Sequence, residues 1–199
     1  MKVGTKSVIF GAHCILIHPF FVAWAWWRLY GFPTDPRLWA AFFVHDMGYL
    51  GKPNMDGLEG ERHVVLGGQI MGWLFGAKWR EFILCHSRHW AKRLGKRYSK
   101  LCVADKLAFV MTPTWMYLPM ARASGELAEY MRVASARQSG GKFSNFEMSL
   151  LKSHNHEVWL EGLKCYTRRW VEKHRDGIAD QWTPVRSQEP ERKVYEARG

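Results

Sequence analysis

The chain has 199 residues, 47% of them hydrophobic, and a formal net charge of +11 at pH 7. That length buries a real core, and that apolar content excludes an intrinsically disordered chain. The charge asks for an anionic partner (nucleotide, other phosphoester, nucleic acid or lipid headgroup) and by itself does not choose among them.

The predicted elements are helical almost throughout. A first helix is expected over Val8 to Leu29. Lys2 and Lys6 before it, and "AWA" at 23–25, imitate a secretion leader, and the stretch is nearly long enough to span a bilayer. His13, His18 and Pro19 are costly in hydrocarbon, so the stretch reads as part of the folded domain and no membrane partner is expected. In "YGFPTDP", Gly31 suits a C-terminal cap, Asp35 an N-cap and Pro36 the first helical position. The second helix runs from Pro36 to about Tyr49, with Leu38, Phe42 and His45 on one face.

"GKPNMDGLEGE" is loop-forming. A third helix is predicted from near Glu61 to Gly76, and a fourth over "KWREFILCHSRHWAKR", ending before Gly95. Ser99 caps a fifth, "KLCVADKLAFVM", which stops at Thr112-Pro113; shorter helices fill 114–134, with a kink at Pro119. "RQSGGKFS" reads as a linker, and "SNFE" at 144–147 has capping-box spacing, opening a last helix to about His174. There is no strand ladder, heptad seam or internal repeat. The expectation is an all-α fold: a helical domain over 1–135, a C-terminal helix packed on it within 136–180, and a flexible charged tail over 181–199. Cys14, Cys85, Cys102 and Cys165 form no CxxC pair, and three of the four lie in apolar stretches. A disulfide framework does not fit that pattern, and a reducing cytoplasm does.

One segment raises a chemical question. In "AAFFVHDMGYLGK", residues 40–52, an apolar run ends in His45 and Asp46. His18 lies 27 positions earlier, about the length of a helical hairpin, so a hairpin brings it opposite the pair. His63, His86 and Asp105 then appear on separate predicted helices, each among apolar neighbours ("RHVVLG", "ILCHS", "LCVADKLAF"). An imidazole or carboxylate is costly to bury without a partner, and a shared cation would satisfy all six. Imidazole with carboxylate suits Mn, Fe, Ni or Zn better than Ca; one or two ions are expected, and six ligands with one bridging carboxylate suit two. His13 competes with His18, and the five-residue gap puts the two on different helix faces. His154, His156 and His174 are expected at solvent.

The ordered set His18, His45-Asp46, Asp105 resembles the HD superfamily of metal-dependent phosphohydrolases. "HPFFVAWAW" is similar to that family's first ligand helix and "AFFVHDMGYLGK" to its second; His63 in "ERHVVLGGQIM" and His86 in "ILCHSRHW" resemble the extra histidines of its two-metal branches. The match covers about residues 13 to 110. It implies a compact HD-type helical bundle and metal-dependent hydrolysis of a phosphoester. Two departures withhold a specific substrate: "HDxGK" here reads "HDMGYLGK", displacing Lys52, and the motifs of the 5′-nucleotidase and cyclic-di-GMP branches are missing.

The basic run Arg88, Lys92, Arg93, Lys96, Arg97, Lys100, Lys106 is bracketed by His86 and Asp105, which suits an anionic substrate. Catalytic roles are therefore expected for Asp46, Lys52 and Arg88, and substrate contacts for Lys52, Arg88, His89 and Lys106. The expected partner is a small phosphorylated compound, foremost a nucleotide, with Trp24, Trp26, Trp27 and Trp73 as candidate walls for a base. Nucleic acid is not expected, since the basic residues do not line one helix face; a homo-oligomer stays open. Two alternatives stand beside hydrolysis: a mixed-valence di-iron oxygenase of the same superfamily, and a non-catalytic nucleotide-binding protein.

Overall fold

The computed structural model describes residues 1–137 and 143–177, and among them every regular element is a helix. The tail over 181–199 lies outside the described residues, as does most of "RQSGGKFS". In chain order the elements are α1 (Val3–Phe10), α2 (His18–Tyr30), α3 (Pro36–Val44), a single 3-10 turn (Met47–Tyr49), α4 (Gly57–Glu61), α5 (Val64–Phe75), α6 (Ala77–Leu84), α7 (Arg88–Arg93), α8 (Lys100–Met111), α9 (Thr114–Ser124), α10 (Glu126–Arg137), α11 (Asn145–Leu151) and α12 (His156–His174).

The local signals that end helices act as read. Asp35 accepts from the Arg37 amide with Pro36 in the first turn of α3, and Ser99 accepts from the Cys102 amide at the start of α8. Ser144 and Glu147 close a reciprocal capping box on α11. Gly31, with φ of 89°, ends α2 in a conformation that a side chain disfavours.

Four predicted helices are broken where continuity was expected. The first divides into α1 and α2, because Gly11 sits so close to Glu126, Ser7 and Ser124 that no side chain fits there. Pro19 then lies in the first turn of α2, the one place in a helix where its missing N–H costs nothing. The second helix ends at Val44, the fourth divides at Cys85–Ser87 into α6 and α7, and the last divides at 152–155 into α11 and α12. The third begins earlier than expected, as α4 and α5 separated by Arg62 and His63.

α8 is the axis of the fold. Leu101, Cys102, Val103, Ala104 and Ala108 are all fully buried, so this helix is covered nearly all round, by α2 and by α12 among others. Val22, Trp26, Phe42, Val64, Met71, Ile83 and Leu101 form the main core between α2, α3, α5, α6 and α8. Each such side chain stabilises the fold by roughly 1.5–3 kcal/mol relative to exposure. A second cluster, including Tyr117, Leu118, Leu151, Trp159 and Leu160, joins α9 to α12. Among the described residues no helix is long and apolar enough to cross a membrane.

Candidate metal centre

The helix breaks and the polar residues coincide. His18 is the first residue of α2, His45 caps the C-terminus of α3 with Asp46 next to it, His63 caps the N-terminus of α5, and His86 follows α6. Only Asp105 lies inside a helix, on buried α8. All six are buried. The chain leaves its helix after His45 because Gly48 packs directly on the His63 backbone carbonyl, with no room for a Cβ.

Three of the imidazoles are held alike. His45 Nδ1 donates to the Phe42 carbonyl (2.8 Å), His63 Nδ1 to that of Gly60 (2.6 Å), and His86 Nδ1 to that of Ile83 (3.0 Å). A carbonyl only accepts, so each Nδ1 carries the hydrogen and each Nε2 is turned inward. Tyr49 stacks on the His63 ring at 4.1 Å and fixes its plane.

The inward atoms form two groups that share Asp46: His18, His45, Asp46 and Asp105 in one, Asp46, His63 and His86 in the other, all ligand atoms of a group within 4.8 Å of one another. The two oxygens of Asp46 divide between them. Oδ2 lies 3.1 Å from His45 Nε2 and 3.4 Å from His18 Nε2, while Oδ1 lies 3.5 Å from His86 Nε2 and 3.6 Å from His63 Nε2. Asp105 Oδ1 reaches His18 Nε2 at 3.1 Å.

This set fits a metal on its own chemistry. His45 Nε2 and Asp46 Oδ2 are buried without a hydrogen-bond partner. His63 Nε2 and His86 Nε2 stand 3.2 Å apart with both Nδ1 hydrogens committed elsewhere, so two lone pairs face each other unless a cation or proton lies between. Burial and the facing His86 push His63 down to about 3, which keeps it neutral and ligand-competent. Burial would raise the Asp46 carboxyl, but His45 and His86 outweigh it and hold it well below the usual carboxylate range. Burial would lower His45, yet Asp46 raises it: the cluster recruits a proton where a cation would sit. These buried histidines and aspartates can hold a metal ion.

The cluster opens into a cavity of about 290 Å³. His18 and Asp105 reach it from the cluster, and Arg88 and Lys106 bring positive charge to it. Lys106 Nζ lies 2.9 Å from Asp105 Oδ2, and the Arg88 guanidinium sits 5.5 Å from the Trp170 ring centre. The C-terminal helix forms a wall of the cavity through Leu163, Tyr166, Thr167 and Trp170.

Other expected site residues lie elsewhere. Lys52 does not line the cavity; its loop is tied to α1, with Gly4 N bonded to the Lys52 carbonyl and Gly51 N to Thr5 Oγ1, and its ammonium pairs with Glu59 at 3.4 Å. His89 is buried in α7, with Nδ1 unpartnered, and does not line the cavity either. Trp24, Trp27 and Trp73 are 45%, 56% and 85% exposed, and Trp26 packs in the main core, so none walls a pocket for a base. His154 is exposed and His156 half-buried, but His174 is buried, donating to the Trp170 carbonyl and stacked on that ring, because the end of α12 packs onto Tyr98.

Two features of the cavity escaped the sequence. Leu163, Tyr166, Thr167 and Trp170 follow the three- and four-residue spacing of one helix face, a signal that was there to read. His13 was set aside as a rival of His18, yet it lines the cavity beside His18, with Nδ1 held by Glu126 (3.1 Å) and Ser7 Oγ (2.9 Å). Burial would lower His13, but Glu126 outweighs it and raises it to about 9. Nothing in the sequence marks Glu126 as buried. Comparison with protein-family models, curated proteins and solved structures gives no match.

Proposed function

We propose that this chain is a metal-dependent phosphohydrolase of the HD type, acting on small phosphorylated compounds, nucleotides among them. The observation that carries the reading is the shared carboxylate: Asp46 presents one oxygen to each of two buried ligand groups, beside a cavity that His18 and Asp105 line together with Arg88 and Lys106. The order of those ligands along the chain is that of the HD family. A divalent ion held there supplies Lewis acidity, lowering the pKa of water and neutralising charge that develops on a phosphoryl group. The chain's own part is positioning. The carbonyls of Phe42, Gly60 and Ile83 fix three imidazoles, so little reorganisation accompanies binding. Arg88 and Lys106 draw the phosphoryl oxygens to the cluster, and the aromatic walls limit water around them.

The test is hydrolysis by protein loaded with Mn, Fe, Ni or Zn across a panel of phosphomonoesters and phosphodiesters. Turnover that excess chelator abolishes is the expected result; a metal-loaded protein inert on the whole panel rejects the reading. The bridging position of Asp46 also favours a second reading, the di-iron oxygenase. Two irons with an electron-spin signal after partial reduction would select it. We place the protein in a reducing cytoplasm, supported by its four free thiols, three of them buried.

A further inference from the structure

Beyond the phosphoryl end, the cavity has a character of its own. Its walls away from the cluster include Phe109, Val133, Phe143, Leu163, Tyr166 and Trp170. Of the hydroxyls that line the cavity, three are turned back on the protein, while Tyr49, Tyr117 and Tyr166 line it too. Thr112 Oγ1 donates to the Ala108 carbonyl (2.8 Å), Thr167 Oγ1 to the Leu163 carbonyl (2.8 Å), and Tyr130 to Glu126 (3.3 Å). The two carboxylates that reach the cavity outside the cluster also serve the chain: Asp56 caps α4 through the Gly57 amide (2.6 Å), and Glu61 accepts from Ser87 Oγ (2.7 Å). Along the apolar walls of Phe109, Val133, Phe143, Leu163 and Trp170 a ribose or hexose would leave hydroxyls unmatched, and each one weakens binding by on the order of tenfold. An apolar group needs no such partners and gains from every contact.

We infer that the substrate is a phosphate ester whose organic part is aryl or alkyl and not a sugar, with its phosphoryl group at the His18–Asp105 end beside Arg88 and Lys106 and its apolar part against α8, α10 and α12. The inference rests on the metal-dependent phosphohydrolase reading above, and it narrows the nucleotide expectation.

Non-hydrolysable phosphonates test it by binding alone. The full chain, loaded with Mn, is titrated calorimetrically with methylphosphonate, phenylphosphonate, hexylphosphonate and the phosphonate analogue of ribose 5-phosphate. Phenyl- and hexylphosphonate should bind on the order of tenfold or more tighter than methylphosphonate, and the ribose analogue no tighter than methylphosphonate. Excess chelator should abolish binding of all of them. Equal affinity for methyl- and hexylphosphonate, or a preference for the ribose analogue, overturns the apolar assignment and leaves the phosphohydrolase reading standing. Failure of every phosphonate to bind the loaded protein overturns both. Val133→Asn, at a half-buried wall position, should narrow the gap between hexyl- and methylphosphonate; Phe109→Asn on the neighbouring wall serves if the first variant does not fold. An undiminished gap in a folded variant counts against the assignment.

Discussion

Two polar centres are buried in this molecule, and they are built on opposite plans. Glu126 is fully buried and saturated: it accepts from the Ala12 amide (3.0 Å), Ser124 Oγ (2.6 Å), His13 Nδ1 (3.1 Å) and the Tyr130 hydroxyl (3.3 Å). At the His/Asp cluster, His45 Nε2 and Asp46 Oδ2 meet no donor, and His63 and His86 turn lone pairs toward each other. Burial alone does not separate a structural network from a ligand site. The state of the hydrogen-bond ledger does, because a saturated network holds the chain together and an unmet one awaits a cation.

Substitutions sharpen that contrast. Asp46→Ala should empty both ligand groups and lower turnover by on the order of a thousandfold or more. With chelator present the same variant should lose less stability than Glu126→Ala, since Asp46 Oδ2 lacks a hydrogen-bond partner where Glu126 is saturated. A large loss of stability under chelation would mean that the cluster is an ordinary core network. Glu126→Ala should behave in the opposite way, costing about 3–5 kcal/mol by urea unfolding while metal analysis still finds the ion.

The pH dependence of the second centre follows from its pair. His13 is raised from 6.5 to about 9 in the folded chain, so its stabilising contribution is whole below 6.5 and is lost as pH rises through about 9. Glu126 is lowered from 4.5, so its contribution is present above 4.5 and is lost as pH falls through its folded value. In chelated protein, the stability gap between the parent and Glu126→Gln should therefore be widest between pH 4.5 and 6.5 and narrow toward pH 9. A flat gap over that range would break the assignment of the pair. The smallest effect belongs to Lys52→Ala. Its pair with Glu59 is near the surface at 3.4 Å, and the change should alter stability by less than about 0.5 kcal/mol and leave turnover within about twofold.

The sequence revealed the helical class and several helix ends because those signals are local. Asp35-Pro36, Ser99 and the Ser144–Glu147 box each act within one turn. The six clustered residues were legible for a different reason: polar groups stood alone in apolar segments, and their order along the chain matched a known pattern. What stayed hidden is tertiary. The breaks at Gly11, His45 and His86 follow from a close approach or from a side chain drawn out of its helix, and periodicity carries no trace of either. Lys52 looked like a phosphate contact because it follows the His45-Asp46 pair, but hydrogen bonds to Gly4 and Thr5 carry its loop toward α1. Glu126 carried no mark of its burial because charge in a sequence does not announce its partners.

Metal analysis of protein purified without added metal, for the parent chain and Asp46→Ala side by side, bears most directly on the cluster. The account predicts about one to two transition-metal ions per parent chain, reflecting the two groups that share Asp46, and almost none in the variant. A parent chain that carries no transition metal, and takes up none when offered Mn, Fe, Ni or Zn, would contradict it.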